Sequence, residues 1–245
     1  MIRQYLDTVA LKAERCQLEG EEARHLVSVL RIAVGSVVEG FDGCGCCRSF
    51  CVREVTKRYV ELEPTTGLHE EPPPEFRLTL FACISKGSRM EWTIEKAVEL
   101  GVWSIVPIIS ERTIVWLDAG EGVQRRERWL RVAREAARQC GSLWVPQIEL
   151  PCQLTESAPL VKERGPTFMA SLYEGAQPLR VTLKNVQQKI SQVGWYVGPE
   201  GDFTPGEEEA LRLAGAIPVS LGRLVLRTET AAIYGLSVLN NEFFV

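Results

Sequence analysis

Histidine, methionine and long apolar runs are what this chain has least of. Its two histidines, His25 and His69, stand far apart, which weakens any reading as a histidine-based metal centre or catalytic triad. No segment approaches the about 20 apolar residues that a membrane-crossing helix requires. The opening stretch MIRQYLDTVALKAERC lacks the uninterrupted apolar core of a signal peptide, so a cytoplasmic protein with no membrane partner is expected. Internal repeats and low-complexity tracts are also missing. The eight cysteines, in a chain of 245 residues without such a leader, read as reduced thiols rather than a disulfide framework. Four of them, Cys44, Cys46, Cys47 and Cys51, cluster, but the paired C-x-x-C knuckles of a zinc site are missing. Small residues packing in a β-rich module are favoured over a ligand set there, and no metal is expected.

What is present points to two domains. LHEEPPPE, residues 68 to 75, carries three consecutive prolines and reads as an extended linker. Before it, Ser36 to Gly43 alternates and turns on Asp-Gly, and Cys51 to Glu63 alternates again, so residues 1–70 are expected to be mostly short strands. After it, apolar runs at Leu78 to Ile84, Ile105 to Ile109, Thr167 to Leu172, Trp195 to Val197 and Pro218 to Leu221 alternate with helical patterns. That alternation predicts an α/β domain over residues 76–245 around a largely parallel sheet, with ligands at the carboxyl ends of its strands. A dinucleotide site would place G-x-G-x-x-G after the first of these strands. Ser85-Lys86-Gly87-Ser88 stands there instead.

Two glycine-punctuated segments follow apolar runs and suggest one backbone-lined pocket. The first, Gly198-Pro199-Glu200-Gly201-Asp202-Phe203, leads into Thr204-Pro205-Gly206-Glu207, which has the threonine, proline and glutamate of a capped helix start. That helix is expected to end near Gly215. Phosphate is the usual ligand of such a turn, but Glu200 and Asp202 would repel it. A ligand with positive charge, amino groups or ribose hydroxyls suits the loop better, although a plain tight turn with solvated acids accounts for it equally well. The second segment, Leu221-Gly222-Arg223-Leu224-Val225-Leu226-Arg227-Thr228-Glu229-Thr230, ends where helical spacing begins. Capping explains two of its last three residues. It does not explain Arg227, since a cation opposes the dipole at a helix start; an anion or polar substrate does.

The formal net charge of −4 argues mildly against nucleic acid. Distribution argues the other way. Between Gln124 and Cys140 lie six arginines, with Leu130, Ala133 and Ala137 on an intervening apolar face. Arg131, Arg134 and Arg138 share one side of a helix. They form a candidate phosphate track, with a solvated face or a dimer or domain contact as the alternatives.

GPEG at 198–201, LGRLVLRTETA at 221–231 and Glu99-Leu100-Gly101-Val102 together resemble the SPOUT superfamily of methyltransferases. Over essentially its whole length the chain is similar to the bacterial 16S ribosomal RNA uridine-N3 methyltransferases. The resemblance implies a C-terminal trefoil knot, S-adenosylmethionine in the knotted loops, a homodimer, and 16S rRNA of the small ribosomal subunit as partner. It implies cofactor contacts from Leu172, Gly198, Pro199, Glu200, Gly201, Leu221, Gly222, Leu224, Leu226, Thr228 and Thr230. It also implies that residues 1–70 form a PUA-like β-barrel, its H-L-x-x-V-L-R stretch being matched by His25 to Arg31. Leu26, Val29 and Leu30 there are expected to form an apolar helical face, leaving Arg24, His25 and Arg31 for RNA. Lys86 and Arg89 flank a helix start at Ser88 with capping-box spacing to Glu91, which the resemblance places near RNA.

Uracil N3 becomes nucleophilic only as its proton leaves, so an enzyme of this kind must align two reactants and manage one proton. Arg227 is the candidate to polarise the uracil carbonyls and Glu229 the candidate proton acceptor or positioning group, with capping a full alternative for Glu229. Four departures qualify the resemblance. Asp202 stands where the family has a second glycine; Arg138 replaces a glutamate; Cys140 and Ser142 replace the serine and arginine of E-A-x-E-Q-S-x-R. They leave open a non-catalytic RNA-binding or ribosome-assembly factor with the same fold.

Overall fold

The computed structural model describes residues 2–115, 117–186 and 190–243. The chain forms two compact units, Met1–Pro73 with Ala137–Val145, and Pro74–Ala136 with Pro146–Val245.

The first unit is built on strands β1 (Ile2–Tyr5), β2 (Cys16–Glu19), β3 (Val37–Phe41), β4 (Cys46–Val55), β5 (Tyr59–Pro64) and β6 (His69–Glu70), with helices α1 (Thr8–Lys12) and α2 (Gly20–Arg24). The sheet order is β1-β3-β4-β5-β2, with β6 on β4. Strand periodicity puts Phe50 and Val52 of β4 wholly inside, with Val38, Val60, Leu62, Leu11 and Leu26. The Asp-Gly turn forms as expected: Gly43 takes φ +73°, and the Asp42 carboxylate accepts from the Cys44 and Cys46 amides at 2.8 and 3.1 Å.

One reading of this unit is corrected. α2 runs into a π-turn over His25–Val29, whose wider pitch breaks the i, i+3, i+4 phase. Leu26 is buried, but Val29 is 65% exposed, and Val27 packs on the core beside Leu30 instead.

In the second unit β7 (Arg77–Cys83), α3 (Arg89–Glu99), β8 (Ser104–Ile109) and α4 (Ala119–Cys140) come first, α4 ending in residues of the first unit. β9 (Gln147–Ile148), β10 (Cys152–Gln153), α5 (Leu154–Ser157), β11 (Thr167–Ala170), β12 (Gln177–Pro178) and α6 (Leu179–Leu183) follow. β13 (Gln192–Val197), α7 (Pro205–Ala214), β14 (Ile217–Ser220) and α8 (Thr228–Phe243) complete the unit. The strand order is β10-β8-β7-β13-β11-β14-β12, with β9 also on β8, and every pairing is parallel. The α/β architecture and its mostly parallel sheet are those expected from the alternation of apolar runs.

Local chemistry explains the element ends. Thr204 caps α7, accepting from the Glu207 amide, while Glu207 returns a bond to the Thr204 amide, and Gly215 closes the helix at φ +108°. The matching box expected at Ser88 does not form. Glu91 is held by Arg128 of α4 at 2.7 Å instead, a long-range ion pair winning over a local cap. The apolar face of α4 is likewise centred on Trp129, which is 2% exposed, with Ala133, Ala136 and Ala137; Leu130 lies at its margin.

α8 packs on β7, β13 and α3. Its closest approach is at Gly235, where an added Cβ would stand 2.1 Å from Cε2 of the fully buried Trp195. A side chain there forces ring or helix to move. Gly235→Ala is therefore expected to cost about 3 kcal/mol and to lower the thermal midpoint by about 6 to 12 °C, measured by calorimetry; an unchanged midpoint would contradict this packing.

Candidate functional site

Strands β13, β11 and β14 are neighbours, and their parallel register ends all three at one edge of the sheet: Met169 pairs with Tyr196, and Ala170 with Val219. Their following loops therefore meet. Residues 171–174, 198–200, 202 and 220–228 wall a cleft of about 860 Å³, within the size range of small-molecule sites.

Most of the expected cofactor residues line it: Leu172, Gly198, Pro199, Glu200, Leu221, Gly222, Leu224, Leu226 and Thr228, with Arg227 beside them. Gly222 has φ +135° and nothing within 4 Å of where a Cβ would sit, so its backbone is bare toward the cleft. Leu224 and Val225 are 80% and 76% exposed, and Leu172 and Tyr173 are also largely exposed. Three expected residues are not in the wall. Gly201 faces away because the turn closed by the Asp202 amide on the Pro199 carbonyl points the Gly201 carbonyl at Arg112, whose Nη1 donates to it at 2.6 Å. Glu229 and Thr230 belong to the first turn of α8, where the helical twist carries them off the cleft side that Thr228 and Ala231 occupy. The Glu229 Oε2 is buried without a hydrogen-bond partner.

The acids of the first loop do something other than expected. Glu200 is paired with Arg89 of α3 at 2.6 Å, both side chains being partly exposed, so its charge is largely offset. Asp202, at φ +59°, accepts from the Phe203 amide at 2.9 Å and from the Leu172 amide at 3.3 Å. The neighbouring loop has further ties: Ser171 Oγ donates to Glu208 of α7 at 2.8 Å and accepts from the Tyr173 amide at 3.0 Å. Beneath the turn Glu207, 8% exposed, accepts the Glu111 and Thr204 amides at 2.8 and 2.9 Å. Arg112, Ser171 and Tyr173 are site residues that the sequence did not disclose. Arg112 reaches its partner across 89 residues of chain, a separation no local pattern reports.

The basic residues divide between the units. In the first, Arg24 and Arg31 are exposed, Arg31 at φ +52°. His25 is not free for phosphate as expected, because Nη1 of Arg138 lies 2.7 Å from its Nε2. Arginine only donates, so Nε2 is the acceptor of that bond. In the second, Lys86 and Arg131 are exposed, Arg134 is half-buried, and Arg89 serves Glu200. Arg126 is spent on the Ile148 carbonyl at 2.6 Å. The arginine run is thus partly structural.

Among the described residues no group of three or more His, Cys, Asp or Glu side chains is arranged to hold a metal ion, and no helix is long and apolar enough to cross a membrane. Burial pushes the Cys83 thiol up to about 12, so it stays protonated at any working pH. Iodoacetamide at pH 8 is expected to label the exposed Cys44 and Cys140 and to spare Cys83, as read by peptide mass spectrometry; labelling of Cys83 in the folded protein would contradict its burial.

Comparison with known proteins places these features in a wider group. Residues 71–240 match a family described as RNA methyltransferase domain. Ribosomal RNA small subunit methyltransferase E of Bacillus subtilis is 28% identical, over 94% of this chain and 91% of its own length. The protein of the same name from Aquifex aeolicus is 34% identical over 78% and 79%. Among solved structures, a Legionella pneumophila protein in complex with the bound cofactor S-adenosylmethionine superposes with a TM-score of 0.89 at 30% identity, covering 98% of this chain and 97% of that one. A ribosomal RNA small subunit methyltransferase E from Neisseria gonorrhoeae, bound to S-adenosylmethionine, gives 0.84 at 29% over the same shares.

Proposed function

This chain belongs to the RNA methyltransferase domain family, and from that premise we propose that it transfers a methyl group from S-adenosylmethionine to N3 of a uridine in 16S rRNA. The observation that carries the proposal is the cleft where the loops after β11, β13 and β14 converge. Its composition fits the cofactor. Bare backbone at Gly222 suits ribose and amino groups, and the exposed Leu172, Tyr173, Leu224 and Val225 offer apolar faces to an adenine. When bound, the cofactor supplies a methyl group already activated on a sulfonium.

The chain's own part is alignment and one proton. Arg227, exposed in the cleft wall, donates to the uracil carbonyl oxygens as charge spreads onto them with loss of the N3 proton. Glu229 keeps a buried oxygen without a partner next to the residue that lines the cleft, and is assigned to that proton or to positioning the uracil edge. Arg24 and Arg31 of the first unit, which we read as a PUA-like RNA-holding module, contact phosphate, as do Lys86, Arg89, Arg131 and Arg134 of the second. We further infer that the return of the chain from β14 through 221–227 to α8 is the threaded part of a trefoil knot, and that the protein acts as a homodimer.

The test is methyl transfer from labelled S-adenosylmethionine into 30S subunits lacking the modification, followed by nucleoside analysis. N3-methyluridine is expected; no transfer, or a methyl on another atom, would overturn the assignment. Arg227→Ala is expected to lower kcat about 100-fold, with cofactor affinity nearly unchanged. Steady transfer by Glu229→Gln at unchanged substrate affinity would remove the proton role of Glu229.

A further inference from the structure

Asp202 occupies a backbone conformation that side chains avoid and glycine adopts freely: its φ is +59°. Aspartate is among the few side chains that adopt it, because its carboxylate can hydrogen-bond to nearby backbone. Here the carboxylate links two chain segments 30 residues apart. One carboxylate oxygen accepts from the Phe203 amide at 2.9 Å, inside its own loop; the other accepts from the Leu172 amide at 3.3 Å, in the loop after β11. Both loops wall the cleft. The turn is gripped on its opposite side by Arg112, which donates to the Gly201 carbonyl. Gly201 keeps the room for that contact, since an added Cβ would stand 3.3 Å from the Arg112 Cδ.

Leu172 and Tyr173 are fixed mainly by hydrogen bonds. The two residues are 61% and 57% exposed, so burial contributes little to ordering them. Besides the backbone bonds of the Ser171 amide to the Val219 carbonyl and the Ala176 amide to the Tyr173 carbonyl, the ties of this stretch use side chains: the Tyr173 amide to Ser171 Oγ, Ser171 Oγ to Glu208, and the Leu172 amide to Asp202. The first two stay within the loop and α7. The Asp202 bond alone among the three reaches the loop after β13, and so sets the distance between two walls of the cleft.

We propose that Asp202 is a positioning residue for the cofactor: its carboxylate clamps the loop after β11 to the loop after β13, so that the cleft is formed before anything binds. The inference rests on the cofactor reading given above. It assigns Asp202 no contact with the reacting atoms. A clamp of this kind acts on binding rather than on the chemical step, because a pre-formed site has less ordering left to do when its ligand arrives.

The experiment compares wild type with Asp202→Gly and Asp202→Asn by two independent readouts. Asp202→Gly accommodates the positive φ without strain and removes both acceptors; Asp202→Asn tolerates the conformation and keeps one acceptor. In the protein without ligand, amide hydrogen exchange at Leu172 is expected to speed about tenfold in Asp202→Gly, with an intermediate change in Asp202→Asn and an unaltered thermal midpoint. Calorimetric titration with S-adenosylmethionine is expected to show Kd raised about tenfold in Asp202→Gly, partial recovery in Asp202→Asn, and kcat at saturating cofactor unchanged. Unchanged exchange at Leu172, or a glycine variant that binds as tightly as wild type, would overturn the clamp. Failure of wild type itself to bind the cofactor would instead overturn the cofactor reading, and the exchange measurement would still decide whether the clamp exists.

Discussion

The site depends on the parallel register of three adjacent strands. β13, β11 and β14 lie side by side and end together, with Tyr196, Met169 and Pro218 in line across the sheet. Because parallel strands deliver their following loops to the same edge, three segments far apart in sequence are forced to converge there. The buried residues of β13 and β11, among them Trp195, Tyr196, Phe168 and Met169, fix the register that makes this happen. α8 lies against the sheet through Gly235 on Trp195, and its first turn carries Thr228 and Ala231 to the cleft wall. Altering that contact would displace the start of α8 and with it the end of the 221–227 loop.

Electrostatics within the site are arranged for structure as much as for ligand. Glu200 and Asp202 read in sequence as a negative loop awaiting a cation. In the fold, one is paired with Arg89 and the other spends both oxygens on backbone amides. Partly exposed ion pairs such as Arg89 with Glu200 contribute little to stability; the contribution of this pair is to hold a cleft-lining acid and a base together at the cleft wall. Buried Glu207 follows the same logic more strictly, with both oxygens given to amides that tie the segment after β8 to the turn after β13.

What the sequence disclosed follows the range of each signal. The start and end of α7 were legible because capping is decided by Thr204, Pro205, Glu207 and Gly215 themselves. β7, β8, β11, β13 and β14 were legible as short apolar runs, and the two glycine segments as carboxyl-end loops, whereas the two-residue strands β9, β10 and β12 are too short to carry a periodic signal. The same cap signal failed at Ser88, where Arg128, distant in sequence, takes Glu91. Periodicity failed at Val29, where a π-turn changes the phase. Trp129 is the buried centre of the α4 face, a role that its charged neighbours concealed. Pairings such as Arg89 with Glu200, Arg138 with His25 and Arg112 with Gly201 join residues 89 to 113 positions apart, and nothing local encodes them. Asp202 was visible as a departure from the resembling family; its partner at Leu172 was not.

The central claim is that one cleft, walled by the three loops together, holds the cofactor. A crystal structure of this protein with S-adenosylmethionine tests it most directly. The account predicts ligand density in contact with all three segments, 171–174, 198–202 and 220–228. Density elsewhere on the chain, or contacts confined to one loop, would contradict it.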